Sequence, residues 1–382
     1  MTIPAPNTES RLPPPPLRRA AFLAAPLLAF AALLAAAEGV VRLAWPPVDP
    51  LEYFVAAPRQ REAFTDRQQV RIFEADPLLL WRLMPGLDRV VWDGTLVSTS
   101  AEHLRHPRPL RPKPRGALRV VCAGDSVTFG YRVPRVYRRR EDDLGQMPYP
   151  RRLEQALREA NPGRDVEVVA LAVPGYSSHQ GLLWLGRDLA RLQPDLVTLC
   201  FGWNDIDRRA GTDRQGMPGG WLHVAARRLM PRSQALMHAG LWLRERRARS
   251  TAGRSAARVM RVPRPEFVEN MLGMVRLARE AGAEVVLVAP IYGNPVAHPP
   301  EGDDVAGHRE ALRAAAATAG IPFLEVPELT EKAYPGNAPL FEEHIHPNHR
   351  GHRLLAERLV RFLAAGGLLR GLAAPTDAGR AQ

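Results

Sequence analysis

Two polar side chains stand just beyond apolar runs in this chain, and a third sits in a histidine-rich turn near its end. Ser126 follows one run in "CAGDSVTFG", Asn204 follows another in "CFGWNDIDRR", and His346 lies within "FEEHIHPNHRGH". A serine at the start of a helix or turn meets backbone N–H groups and a positive dipole end, which favour a developing anion. Taken alone, Asp125 or Ser126 reads equally well as a helix N-cap, and Asn204 as a turn residue. A third run ends in "AVPGYSSHQG" and brings Gly175 to the same position. Together they form the parts list of acyl transfer: Ser126 attacks, while its own N–H, the Gly175 N–H and the Asn204 amide hold the oxyanion. The serine needs a base. Glu343 stands three residues before His346, a spacing that in a tight turn brings a carboxylate to imidazole Nδ1 and leaves Nε2 for the serine. The rival is a metal site built from His344, His346, His349 and His352. His349 and His352 fall where a final helix begins, and no carboxylate–histidine set elsewhere completes the ligands, so no metal and no cofactor is expected.

These residues need a scaffold that delivers several strand ends to one edge. "ALRVVCAG" (117–124), "DVEVVALAV" (165–173), "DLVTLCFG" (195–202), "AEVVLVAP" (283–290) and "IPFLEV" (321–326) read as buried strands. Between them, 149–161, 179–192, 265–282 and 307–320 have helical spacing, and 348–365 reads as a closing helix. Such alternation predicts a doubly wound parallel sheet with helices on both faces. Ligands of these sheets bind beyond the carboxyl ends of the strands.

"GDSVTFG", "PGYSS", "GWND" and "EHIHPNHRGH" resemble, in order and context, the four motif blocks of the SGNH/GDSL hydrolase superfamily. The resemblance covers about two-thirds of the chain. It implies a flavodoxin-like three-layer fold and serine esterase or lipase-type chemistry. Ser126 then corresponds to the nucleophile, Gly175 and Asn204 to the oxyanion hole, and His346 to the base. One position departs: the family usually has Asp three residues before the histidine, where this chain has Glu343. "ADPLLLWRLMPG", ahead of the domain, resembles more loosely the segments preceding membrane-tethered members.

Net charge is +12, carried almost wholly by scattered Arg, with Lys only at 113 and 332. No nucleic-acid-binding motif surrounds these arginines, so an arginine-rich composition is expected rather than a nucleic-acid partner. Cys122 and Cys200 make no disulfide framework; they read as core thiols on neighbouring strands. At the N-terminus, "RLPPPPLRR" precedes an uncharged apolar run over 20–37, extending to Trp45 if Glu38 and Arg42 pair at the interface. Arg18 and Arg19 place the tail in the cytoplasm and the main domain outside it. A cleaved secretory signal is the alternative, since "AAA" before Glu38 suits a cleavage site.

The expected organisation is a tail (1–19), a transmembrane anchor (20–45), a juxtamembrane segment and linker (46–116), the hydrolase domain (117–366) and a C-terminal tail (367–382). An insertion over 206–264 is expected to be a solvated helical excursion, with an active-site cap or a lipid-resting patch as the sharper readings. The functional expectation is an inner-membrane, extracytoplasmic serine esterase acting on acyl groups of cell-envelope glycans or lipids. An O-acyltransferase would use the same acyl-enzyme and differ in water access. A non-catalytic glycan-binding module would not need the intact serine, asparagine and histidine.

Overall fold

The computed structural model describes residues 16–55, 70–134, 146–217, 219–251, 258–291, 299–330, 338–343 and 345–368. Most of both terminal tails and His344 therefore lie outside the described residues. Two compact units emerge, one of Met1–Asp49 with Arg228–Ser250, the other of Pro50–Arg227 with Thr251–Gln382.

The larger unit is built on five parallel strands: β5 (Leu118–Gly124), β6 (Val166–Ala172), β7 (Leu196–Cys200), β10 (Glu284–Val288) and β11 (Phe323–Leu324). Their spatial order is β11-β10-β7-β5-β6, the flavodoxin-like order in which the chain reverses direction between β5 and β7. Alternation along β5 divides the core. Val121 and Ala123 face a cluster with helices Ser178–Leu192 and Arg264–Glu280. Val120 and Cys122 face the other side, with Tyr149, Leu153 and Leu157 of helix Tyr149–Ala160 and with Leu355, Leu359 and Leu363 of helix His349–Ala365. Strands buried on both faces must be apolar throughout, which is why they read as continuous runs rather than alternating ones.

Boundaries differ from expectation at the far edge. The helix expected from Gly307 begins at Pro299, because the paired prolines 299 and 300 occupy its first turn, where a missing N–H is harmless. β11 has only two residues of the six expected, paired on one side alone with β10.

The segment ahead of the sheet does more than connect. β1 (Phe73–Asp76) pairs with β2 (Leu80–Leu83), and β3 (Val90–Trp92) with β4 (Thr95–Val97). Phe73, Trp81, Trp92 and Leu104 enter the same core as Val121 and Ala123. Arg105, in the stretch expected to be an extended connector, donates to the Gly130, Leu96 and Val133 carbonyls and so ties down the loop after Ser126. In the insertion, the two-residue strands β8 (Arg208–Arg209) and β9 (Val259–Met260) pair antiparallel. Its middle, Arg228–Ser250, groups with the N-terminal helix Pro16–Ala44 in the smaller unit. Within that helix Ala25–Ala44 is long and apolar enough to cross a membrane.

Candidate active site

β5 ends at Gly124, where an added Cβ would fall 2.7 Å from the Cys200 carbonyl oxygen, so only glycine lets β5 and β7 close up here. Asp125 then caps the short helix Ser126–Phe129, its Oδ1 accepting from Val127 N–H at 2.9 Å. Ser126 is thus the first helical residue, with its Oγ at the edge of the sheet. Asp125 and Ser126 divide the roles that the sequence left open between them: the carboxylate caps, and the hydroxyl is left to another partner.

That partner is His346. Ser126 Oγ donates to His346 Nε2 at 2.9 Å, and Glu343 Oε1 accepts from Nδ1 of the same ring. The turn holding both residues is closed by a bridge between Phe341 and Pro347 and by Glu342 N–H donating to the His346 carbonyl at 2.9 Å. Asn348 caps the closing helix, accepting from Arg350 N–H and Gly351 N–H. The methylene that distinguishes Glu343 from Asp is taken up within this turn, and the carboxylate still reaches the ring. The Tyr131 ring packs at 4.5 Å from the imidazole, and its hydroxyl donates to Asp93 between β3 and β4.

β6 leads into Pro174–Gly175–Tyr176, with Gly175 at φ +82, a region open mainly to glycine. Three successive carbonyls of this turn are held by side chains. Trp81 Nε1 donates to Pro174 at 3.2 Å, Arg261 Nη1 to Gly175 at 2.9 Å, and Asn204 Nδ2 to Tyr176 at 3.0 Å. Asn204 Nδ2 also lies 3.3 Å from Asp125 Oδ2, linking the ends of β5 and β7. Ser126, Gly175 and Asn204 therefore meet at the carboxyl edge of three adjacent strands, beside the reversal point of the sheet.

Beneath the turn lies a sealed polar layer. Arg261 Nη2 meets Asp213 Oδ2 at 2.8 Å and Gln180 Oε1 at 2.9 Å, while Ser177 Oγ donates to Asp213 Oδ2 at 2.6 Å. Asp205, next to Asn204, accepts from Ser178 N–H at 3.0 Å. Burial pushes the Asp125 and Asp205 carboxyls up to about 7. Burial also pushes the Cys122 thiol up to about 12, and both cysteines are free and buried.

His346 and His352 take different partners. His352 turns inward, stacked on Tyr149 and accepting from Tyr149 N–H at 3.2 Å, and burial with nearby Arg105 and Arg152 pushes it down to about 3. Among the described residues no three His, Cys, Asp or Glu side chains converge as a metal-binding group. Sequence reading missed Trp81, Tyr131, Arg261 and Asp213. The aromatic content of "LLLWRLM" was the one available hint, and it pointed to no strand end.

Fold and site together describe a flavodoxin-like hydrolase with a serine at its switch point. The model of the GDSL-like lipase/acylhydrolase family matches residues 122–354, and the chain belongs to that family. It is an enzyme that acts on ester bonds. Among solved structures it is similar to an acetylxylan esterase from Geobacillus stearothermophilus, at 17% identity over 65% of this chain and 95% of that one, TM-score 0.43. It is also similar to a lipase/acylhydrolase from Enterococcus faecalis (18%, 68% and 99%, TM-score 0.43). An alpha/beta hydrolase enzyme from the metagenome of Lake Arreo, Spain, gives 19%, 67% and 98%, with TM-score 0.42. No curated protein sequence matches the chain significantly.

Proposed function

We propose that the protein is a membrane-anchored serine esterase that hydrolyses carboxylic esters through an acyl-enzyme on Ser126. The observation that carries this reading is the relay Ser126 Oγ to His346 Nε2 at 2.9 Å, with Glu343 on the opposite ring nitrogen. Ser126 Oγ attacks the ester carbonyl as its proton passes to Nε2, and Glu343 stabilises the imidazolium that forms. The tetrahedral oxyanion is received by the N–H groups of Ser126 and Gly175 and by the Asn204 amide. Asn204 Nδ2 donates to the Tyr176 carbonyl at 3.0 Å, and its contact to Asp125 is long at 3.3 Å, so the amide group carries a weakly engaged N–H to offer the oxyanion. Collapse expels the alcohol, which takes the proton from Nε2. Water then gives a proton to Nε2 as its oxygen bonds to the acyl carbon; collapse breaks the bond to Oγ, which takes that proton from Nε2 as the acid leaves.

The turn's clamps act in this scheme as positioning residues. Pro174 C=O and Gly175 N–H belong to one planar trans peptide, so they point in opposite directions. Holding that carbonyl through Trp81 fixes where the Gly175 N–H is aimed. Arg261 fixes the following peptide in the same way, and the sealed Asp213 holds Arg261.

The apolar helix Ala25–Ala44 supports an anchor, and Arg18 and Arg19 ahead of it favour an extracytoplasmic domain in a cell inner membrane. From that location, acyl groups on cell-envelope glycans or lipids are the proposed substrates. The deciding experiment is labelling of the full chain by a fluorophosphonate probe, with release of a chromogenic short-chain ester assayed in parallel. Both signals should be present in the native protein and absent from Ser126→Ala. Labelling that persists in Ser126→Ala would move the nucleophile elsewhere.

A further inference from the structure

The smaller unit carries a helix whose placement the esterase chemistry does not need. Glu38 lies inside the apolar span Ala25–Ala44, six residues and so about 9 Å before its end. Its carboxylate nevertheless serves as the N-terminal cap of the insertion helix Gln234–Thr251. It accepts from Gln234 N–H at 2.9 Å, from Ala235 N–H at 3.0 Å and from Ser233 Oγ at 2.7 Å, while pairing with Arg42 at 2.7 Å. Farther along the chain, His238 Nε2 meets the Pro46 carbonyl at 3.1 Å, and Gln234 Oε1 accepts from Val48 N–H at 2.7 Å. Met237 is buried. The insertion helix therefore starts at the depth of Glu38, below the point where the span ends.

Its outward arc is apolar. At 100° per residue Leu236, Ala239, Trp242 and Leu243 share one side, and Leu236, Trp242 and Leu243 are 52%, 56% and 47% exposed. Trp45, at the exit of the N-terminal helix, is 53% exposed, in keeping with an aromatic anchor at the membrane–water boundary. The charge is sorted along the helix: its first ten residues, "QALMHAGLWL", carry no Asp, Glu, Lys or Arg, whereas "RERRAR" follows at once. The Arg246 guanidinium lies over the Trp242 ring, 5.3 Å from its centre. A helix starting at span depth, apolar where it starts and basic where it leaves, matches the gradient from acyl chain to anionic headgroup.

We propose that Gln234–Thr251 is an interfacial helix, resting with Leu236, Trp242 and Leu243 among lipid acyl chains and with Arg246, beside Trp242, against anionic headgroups. The bilayer is the occupant because the cap on Glu38 ties this face to a segment that itself requires lipid. The inference rests on the reading of Ala25–Ala44 as a membrane span.

The test places single cysteines in the full chain, labels each with an environment-sensitive fluorophore, and reconstitutes the protein in vesicles of phosphatidylcholine with a minor fraction of phosphatidylglycerol. The native Cys122 and Cys200 are buried and stay unlabelled in folded protein. Spin-labelled lipids with the nitroxide near the headgroup or near the chain end quench by depth; aqueous iodide quenches what faces water. Leu33→Cys reports the span and should be quenched by the deep nitroxide. Glu159→Cys, on helix Tyr149–Ala160, is the water-facing control. Trp242→Cys and Leu243→Cys should lose most of their fluorescence to the shallow nitroxide and little to iodide. Adding Arg246→Glu to Leu243→Cys should weaken that shallow quenching, more so as phosphatidylglycerol is increased. Iodide quenching at 242 and 243 equal to the Glu159→Cys control overturns the inference. Protection from both quenchers also overturns it, since the face is then covered by protein. If Leu33→Cys escapes lipid quenching the span itself fails, an outcome separate from failure at 242 and 243 alone.

Discussion

Two carboxylates near the edge of the sheet each hold a nitrogen base, and their surroundings give them opposite work. Glu343 holds His346 with its own side chain 32% exposed, and an imidazole has one ring nitrogen that can accept a proton while the other donates. Asp213 holds Arg261 with the two side chains only 7% and 1% exposed, and a guanidinium does not give up its proton. In the proposed reaction the first pair changes its total charge, and the part-exposed Glu343 carboxylate is there to offset the charge on the ring. The second cannot, and its fixed charge is spent on holding the Gly175 carbonyl and Gln180. A carboxylate–base pair at a strand edge is thus chemical or architectural according to whether its base titrates and whether solvent reaches it.

The comparison is broken most severely by removing the proposed proton acceptor. His346→Ala should lower kcat nearly as far as Ser126→Ala, each by about 10⁶, and the double variant little further, because the two act as a unit. Circular dichroism should show all three folded. If His346→Ala retains turnover while His344→Ala abolishes it, the base has been assigned to the wrong histidine.

Next come the carboxylates themselves, whose losses should appear in different measurements. Glu343→Ala should cost about 10²–10⁴ in kcat through loss of imidazole tautomer and orientation, while Glu343→Asp retains activity. Its thermal midpoint should change little, since the Glu343 side chain is 32% exposed and water can take its place beside the ring. Asp213→Ala should instead destabilise the fold by about 3–5 kcal/mol, because it strands a buried charge. Replacing both partners, Asp213→Leu with Arg261→Met, should recover much of that stability. Equal stability losses for Glu343→Ala and Asp213→Ala would erase the distinction.

Legibility followed the same division. Ser126, Gly175 and Asn204 could be read because each directly follows a continuous apolar run, and a parallel sheet sends such run-ends to one edge. His346 could be read because its carboxylate lies three residues away in the chain. Arg261 could not: in "RVMRVPRP" it is one arginine among several, and its burial is set by Asp213, 48 residues earlier. Trp81 was hidden for the same reason, its acceptor lying 93 residues onward in a turn whose carbonyl demands no sequence can display. The early start of helix Pro299–Thr318 was lost because paired prolines suggest a turn as readily as a first helical turn.

Smaller effects test the aim of the oxyanion donors. Asn204→Ala removes a donor outright and should lower kcat by about 10²–10³. Trp81→Phe keeps an aromatic ring but deletes the N–H that holds Pro174. The peptide bearing the Gly175 N–H is then free to rock, and kcat should fall up to about tenfold, the scale of one neutral hydrogen bond. KM should stay near its native value, because ground-state binding does not use the oxyanion donors. A rise in KM with unchanged kcat would mean that Trp81 shapes the substrate cleft instead.

The smallest expected effect lies in the sealed layer and is read as stability against pH. Burial raises the Asp205 carboxyl from 3.8 to about 7, against the hydrogen bonds from Ser178 and the charge of Arg261. The folded protein therefore keeps a proton on Asp205 between about pH 4 and 7 that the unfolded chain has given up. Stability contributed by this group is fully present below pH 4 and is lost as pH rises toward 7, with a slope of up to about 1.4 kcal/mol per pH unit. Asp125, also raised to about 7, acts in the same window. Asp213 has the opposite sign: burial is the largest single influence and works against its charge, but Arg261, Ser177 and Arg209 together outweigh it and hold the carboxyl below its ordinary range. Its contribution is present above pH 4 and is lost only as pH falls further. Asp205→Asn keeps an acceptor for Ser178 but cannot titrate, so its thermal midpoint should decline less steeply than the native protein's from pH 4 to 7. Below pH 4 the two curves should run parallel, since Asp213 alone of these three groups changes charge there. Parallel curves across pH 4 to 7 would mean that Asp205 is already ionised in the fold, with Arg261 near enough to neutralise it, and the two sealed aspartates would then be alike.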